Sequence, residues 1–230
     1  MASCAILFDL DGTLVDTIHD LADAANRTIR EIGLPALPVE DYRLLVGAGA
    51  RNLMARCCRA AGMPLEPEDA RIDGLVRRFK VHYDQNWHEC SLPYPGIAAA
   101  LSRLSDAQVP IAVLSNKPDD FTRQVVSHFF PDHRFAAVRG QRGQDPLKPD
   151  PTVALELARQ LNCPPERCAL VGDSGTDMET AVRAGFLPVG VLWGFRDERE
   201  LKNFGAAHLA ENPGEMVTCL LDWCQKRRVQ

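Results

Sequence analysis

The chain has 230 residues, 46% of them apolar, enough to bury one large core or two modest ones. Charged residues make up 25% and the formal net charge is -5, which suits a globular protein and argues against nucleic acid as the main partner. No apolar run approaches the roughly 20 residues needed to cross a bilayer, and the N-terminus enters a strand without a signal-peptide pattern. The 8 cysteines form no CxxC pair and no zinc-like spacing. Together these features predict a reduced, cytoplasmic protein with neither a disulfide framework nor structural zinc.

In chain order, Ala5-Ile6-Leu7-Phe8 is an apolar run fit for a buried strand and too short for a helix. It discharges into Asp9-Leu10-Asp11-Gly12-Thr13, with carboxylates at i and i+2 that face the same way on an extended backbone. Gly12 permits a sharp turn there. Thr17 is placed to cap a helix, with Asp20 completing a capping box. Leu21, Ala24, Ala25, Thr28, Ile29 and Ile32 then keep helical spacing until Gly33 and Pro35 end it. Two more helices are predicted, over about 51–61 and about 66–87, and nothing in 17–90 reads as a strand. At the end of the third, His82, His88 and Cys90 suit a polar, partly exposed face better than a soft-metal site.

After the linker Leu92-Pro93-Tyr94-Pro95-Gly96 the pattern alternates. Helices are predicted over about 97–104, 119–129, 150–161 (with Asp150 as N-cap and Pro151 behind it), 176–184 and 214–226. Strands are predicted over 109–114, 135–138, 168–171 and 187–192. Strands alternating with helices imply a parallel sheet with right-handed crossovers. The fold class is therefore α/β: a doubly wound parallel-sheet core, residues 1–16 and 91–230, interrupted by an all-helical insertion, residues 17–90.

Polar groups recur at the strand ends. Ser115-Asn116 ends the second core strand, and Lys148 sits between a strand and a helix in Leu147-Lys148-Pro149-Asp150-Pro151, a stiff mounting suited to an anion. Gly172-Asp173-Ser174 ends the fourth strand, with Asp177 in the first turn of the next helix. In a parallel sheet such ends converge on one edge. Carboxylates without histidine or thiol select a hard cation, most plausibly Mg²⁺. Carboxylates, a divalent metal, a lysine and a small hydroxyl are the parts of phosphoryl transfer, in which a carboxylate attacks phosphorus. Spacing alone leaves open which carboxylate attacks.

These segments resemble the four motifs of the haloacid dehalogenase superfamily. Phe8-Asp9-Leu10-Asp11-Gly12-Thr13-Leu14-Val15-Asp16-Thr17 is similar to the first and Leu114-Ser115-Asn116-Lys117-Pro118 to the second. Lys148-Pro149-Asp150-Pro151 resembles the third and Gly172-Asp173-Ser174-Gly175-Thr176-Asp177 the fourth, all in order. The resemblance implies a Rossmann-like core with a helical cap inserted after the first motif. It makes Asp9 the nucleophile and Asp11 the general acid/base, with Asp9, Asp11 (through its carbonyl) and Asp173 on the metal. Asp177, orienting a metal-bound water or Lys148, and Ser174 would support that metal site from behind. Ser115, Asn116, Lys148, Gly12 and Thr13 would bind the phosphoryl group. Cap closure over Asp9 would exclude water.

Within the superfamily the chain looks most like bacterial phosphoglycolate phosphatases, with Val46-Gly47-Ala48-Gly49-Ala50-Arg51 similar to the cap's substrate loop. Gly194-Phe195-Arg196 and Phe204-Gly205-Ala206 also resemble that group. Arg51 is the candidate for a substrate carboxylate or second phosphate. The expected activity is Mg²⁺-dependent hydrolysis of a small phosphorylated metabolite, 2-phosphoglycolate first, with no nucleic-acid, membrane or obligate protein partner. The alternatives are a pyrophosphatase, a sugar-phosphate phosphatase or phosphomutase, and a catalytically silent binding protein. Asp11 disfavours a dehalogenase. The hinge histidine of sugar phosphomutases matches Leu21, and His19 falls two residues short.

Overall fold

In the computed structural model, which describes residues 4–228, the run Ala5–Phe8 forms strand β1, buried at every position. Burial on both faces is what a central parallel strand requires, and it explains why the run is apolar without alternation. β2 (Val15–Asp16) leads into α1 (Ile18–Arg30), which buries Leu21, Ala24, Ala25, Thr28 and Ile29 on one side. A 3₁₀ turn (Val39–Asp41) precedes α2 (Tyr42–Leu45), α3 (Gly49–Ala60), α4 (Ala70–Asn86) and β3 (Leu92–Pro93), which pairs with β2.

There follow α5 (Ile97–Asp106), β4 (Ile111–Pro118), α6 (Asp119–Phe129), β5 (Ala137–Gln141) and α7 (Thr152–Gln160). The chain ends through β6 (Cys168–Gly172), α8 (Gly175–Ala184), β7 (Leu187–Val191), α9 (Glu198–Asn203), β8 (His208–Ala210) and α10 (Pro213–Arg228). By internal contacts the chain divides into an α/β unit, up to Val15 and from Pro93 onward, and a helical unit, Asp16–Leu92.

The α/β unit carries one six-stranded sheet in the order β5-β4-β1-β6-β7-β8, parallel at every pairing. Successive strands run outward from β1 in both directions, so the order reverses at the first strand, where open α/β sheets form their crevice. Phe8 pairs with Val113 on one side and Val171 on the other. One residue further come Asp9, Leu114 and Gly172; two further, Ser115 and Asp173. The register brings the polar strand ends level.

Within the helical unit, α1 packs on α4, and α3 packs on α4. The capping box expected at Thr17 does not form, for Thr17 makes no side-chain cap. Asp20 instead accepts from the backbone N–H groups of Cys90 and Ser91 and from the Ser91 hydroxyl at 2.6–3.1 Å. A buried carboxylate with three donors in reach has more to gain there than at a helix end already served by Asp16, which accepts from Ile18 N–H.

Other expectations shift by the same logic of available donors. α4 starts at Ala70 because Asp69, not a residue near Pro67, caps it by accepting from Arg71 N–H. Asp150 accepts from Thr152 N–H, which moves the start of α7 past Pro151. β4 runs on through Ser115-Asn116-Lys117-Pro118, with a register shift against β5 between Leu114 and Pro118. α9 and β8 were not foreseen: six and three residues are too few to show a period.

The expectation of no disulfide is also corrected. Cys4 and Cys224 are bonded, with Cα atoms 5.8 Å apart across 220 residues of sequence. α10 packs on α5 and β8, and the fold brings its cysteine to the start of β1. Six other cysteines are free. No helix among the described residues is long and apolar enough to cross a membrane.

Candidate active site

Asp9 leaves β1 with its N–H donating to Val171 O at 2.9 Å, so the sheet ladder still holds its backbone while its side chain passes the strand end. Its Oδ1 accepts from Leu10 N–H at 2.7 Å and lies 2.9 Å from Lys148 Nζ. Lys148 Nζ also donates to Asp177 Oδ1 at 2.6 Å and to Leu114 O at 3.0 Å, so one buried ammonium ties β1 and β4 to the start of α8. Lys148 is in turn set by Asn116. The Asn116 amide donates to Lys148 O and accepts from Lys148 N–H, at 3.0 and 2.8 Å. The Asn116 side chain thus fixes the lysine's backbone. Ser115 is buried beside it, its Oγ accepting from Lys117 N–H.

Asp177 belongs to the true capping box of the chain. Ser174 N–H and Oγ donate to Asp177 Oδ2, and the fully buried carboxylate thus serves both the helix start and Lys148. Asp173 accepts from Thr13 Oγ1 at 3.2 Å and from Phe195 N–H at 2.8 Å. Gly12 sits at φ +82°, and a Cβ there would fall 2.4 Å from Asp173 Oδ2, so both backbone and space demand glycine. The loop after β7 was not placed at this site from sequence, yet Phe195 holds Asp173 and Trp193 Nε1 donates to Thr13 O.

Asp11, whose charge also acts on Asp9, has a lysine of its own. Its two carboxylate oxygens accept from Lys117 Nζ at 3.0 and 3.2 Å. Arg51 lies in the helical unit, where Nε and Nη2 donate to Pro67 O and Nη1 pairs with Asp73. His82 likewise engages Glu31 in that unit, with Nε2 2.7 Å from Oε1.

Among the described residues, the group able to hold a metal is Asp9, Asp173 and Asp177, whose nearest ligand oxygens lie within 4.8 Å of one another. Of these three buried carboxylates, Asp9 and Asp177 bond the Lys148 ammonium, and the charge of Arg196 offsets only part of what burial and its acidic neighbours impose on Asp173. Burial, opposed by Lys148 and reinforced by Asp177, pushes the Asp9 carboxyl up to about 7. Burial, then the charges of Asp177 and Asp9, push Asp173 up to about 8. Burial works against the charge of Lys148, but Asp177 and Asp9 hold it above the ordinary lysine value. Uncompensated negative charge on an all-oxygen donor set fits a hard divalent cation.

A pH dependence follows from these shifts. Both carboxyls titrate above their ordinary 3.8, so the folded metal-free protein binds more protons than the unfolded chain between about pH 4 and 8. Its stability falls as pH rises through that window. Calorimetry in chelator should show Tm dropping from pH 5 to 8, and the Tm gained on adding Mg²⁺ should grow over the same range. A Mg²⁺ increment that does not vary with pH would contradict this assignment.

A model of the haloacid dehalogenase-like hydrolase family matches residues 5–185. The chain belongs to that family. Its relatives among curated proteins include a phosphoglycolate phosphatase of Mesorhizobium japonicum, 35% identical over 204 residues that cover 89% of this chain and 88% of that protein. Another, from Caulobacter vibrioides, is 37% identical over 84% of this chain and 81% of its own. Among solved structures, a predicted phosphoglycolate phosphatase from Haemophilus somnus superposes with a TM-score of 0.85 at 26% identity, covering 95% and 99% of the two chains. CbbY from Rhodobacter sphaeroides, solved in complex with phosphate, gives 0.78 at 25% identity over 94% and 96%.

Proposed function

We propose that this phosphatase is a Mg²⁺-dependent phosphomonoester hydrolase acting on a small phosphorylated metabolite, with 2-phosphoglycolate the leading substrate. The observation that carries the reading is the Lys148 ammonium held between Asp9 and Asp177, with Asp173 beside them. That arrangement suits a nucleophilic carboxylate next to bound anionic oxygens.

Asp9 is assigned as nucleophile. A carboxylate oxygen of Asp9 bonds to phosphorus as the bond to the leaving oxygen breaks, and Asp11 gives that oxygen its proton. The ionised Asp11 then takes a proton from water, whose oxygen displaces Asp9 and releases inorganic phosphate. Ser115 and Lys148 hold the phosphoryl oxygens, with Gly12 and Thr13 shaping the turn on which the group rests. The Asp9 and Asp173 carboxylates and the Asp11 carbonyl are the proposed metal ligands. Both oxygens of Asp177 are engaged, on Lys148 and on Ser174, which suits a supporting role. A bound Mg²⁺ supplies positive charge against the phosphoryl oxygens and fixes their orientation.

Selection among phosphoesters is assigned to the helical unit, and the names of the relatives put 2-phosphoglycolate first. The test is a comparison of kcat/KM for 2-phosphoglycolate, pyrophosphate, sugar phosphates and nucleoside monophosphates, each with Mg²⁺ and with chelator. A preference of at least about tenfold for 2-phosphoglycolate is expected, a difference worth about 1.4 kcal/mol in transition-state binding. A higher value for pyrophosphate or a hexose phosphate would overturn the substrate assignment.

A further inference from the structure

The α/β unit brings two lysines to the strand ends, and their partners differ. Lys148 is used on Asp9, Asp177 and Leu114 O, whereas Lys117 is bonded through Nζ to both oxygens of Asp11. The Lys117 side chain is 4% exposed and that of Asp11 18%, so the ion pair lies at the inner wall of the site and not on open surface. A charged pair this sheltered is held more firmly than a solvated one.

The backbone under Lys117 is fixed on every side. Its N–H donates to Ser115 Oγ, and its carbonyl accepts from the buried Thr122 hydroxyl at 3.2 Å. Gly140 of β5 lies against the same carbonyl, where an added Cβ would come within 2.6 Å of Lys117 O. The register shift between Leu114 and Pro118 gives this end of β4 its own path. A surface lysine needs none of this support.

We propose that Lys117 is a positioning residue for the reaction, a cation that holds the Asp11 carboxylate in the orientation from which it serves the leaving group. The inference rests on the reading of Asp11 as general acid/base. Lys117 acts through Asp11 and leaves the phosphoryl group to Lys148.

A misplaced acid matters in proportion to how badly the leaving group needs a proton. The experiment compares kcat/KM, which reports events up to leaving-group departure, for phenyl, 4-nitrophenyl and 2,4-dinitrophenyl phosphate, in order of falling leaving-group basicity. Lys117→Met should lose about 10²-fold on phenyl phosphate and only about 3-fold on the dinitrophenyl ester. Lys117→Arg should recover about tenfold of the loss on phenyl phosphate, since it restores the cation. Asp11→Asn should show the same steepened dependence, and adding Lys117→Met to it should slow the enzyme no further.

An equal loss on all three esters would mark a merely structural lysine and overturn the inference. If Asp11→Asn steepens the series and Lys117→Met does not, the Lys117 inference alone falls. If Asp11→Asn leaves the series flat, the acid/base reading has failed and takes the inference with it. Should Lys117→Met not fold, Lys117→Gln carries the same comparison.

Discussion

Asp9→Asn is expected to lower kcat by about 10⁴- to 10⁶-fold, the range that loss of a covalent nucleophile produces. The amide is nearly isosteric, so the turn at Gly12 and the ladder bond to Val171 remain. It cannot attack phosphorus, and no phosphoryl-enzyme should be trapped by acid quench after mixing with labelled substrate. The same change should not destabilise the metal-free fold. Asp9 is ionised there against the cost of burial and of its acidic neighbours, with the charge of Lys148 and the Leu10 N–H donor in its favour. Replacing a charge with a neutral amide relieves that repulsion, so Tm in chelator at pH 8 should hold or rise. A protein that loses Tm and activity together would point to a structural Asp9. Unchanged turnover would sink the nucleophile assignment outright.

Lys148→Met should have the largest effect on stability. It removes the ammonium bonded to Asp9 and Asp177 and leaves their carboxylates buried beside Asp173 without that charge. Breaking one side of a buried ion pair costs about 3–5 kcal/mol, and for a chain of this size each kcal/mol moves Tm by about 2–4 °C. A drop of roughly 10 °C near pH 8 is therefore expected. The drop should shrink at lower pH, because protonation of Asp9 and Asp173 removes the charges left unpaired. Turnover should fall by about 10³-fold from loss of phosphoryl stabilisation. Urea melts at pH 8 and pH 5.5 measure the first effect; a pH-independent loss would mean that packing, and not charge, is what Lys148 contributes.

The sequence by itself determined the parts with local signatures. Strand β1 was legible because four consecutive apolar residues before two carboxylates and a glycine can be little else. The ends at Ser115, Lys148 and Asp173 were legible for the same reason, since strand termini and helix starts are written within a few residues of themselves. The parallel, doubly wound sheet followed from the alternation of strands and helices. The helix expected over 119–129 forms over those residues as α6, with two aspartates in its first turn.

Only the tertiary structure decided which side chains meet. Lys117 reads as an ordinary lysine until β4 and β1 pair, when its ammonium reaches an acid 106 residues away in sequence. The Asn116 side chain meets the Lys148 backbone only when that loop closes on it, and Asp20 reads as a helix cap until Cys90 and Ser91 return with better donors. Cys4 and Cys224 carry no pairing signal at all across 220 residues. The reason is the same in each case. Local sequence biases backbone dihedrals and caps, whereas a buried polar group takes whichever partner packing places within about 3 Å, and that choice belongs to the whole fold.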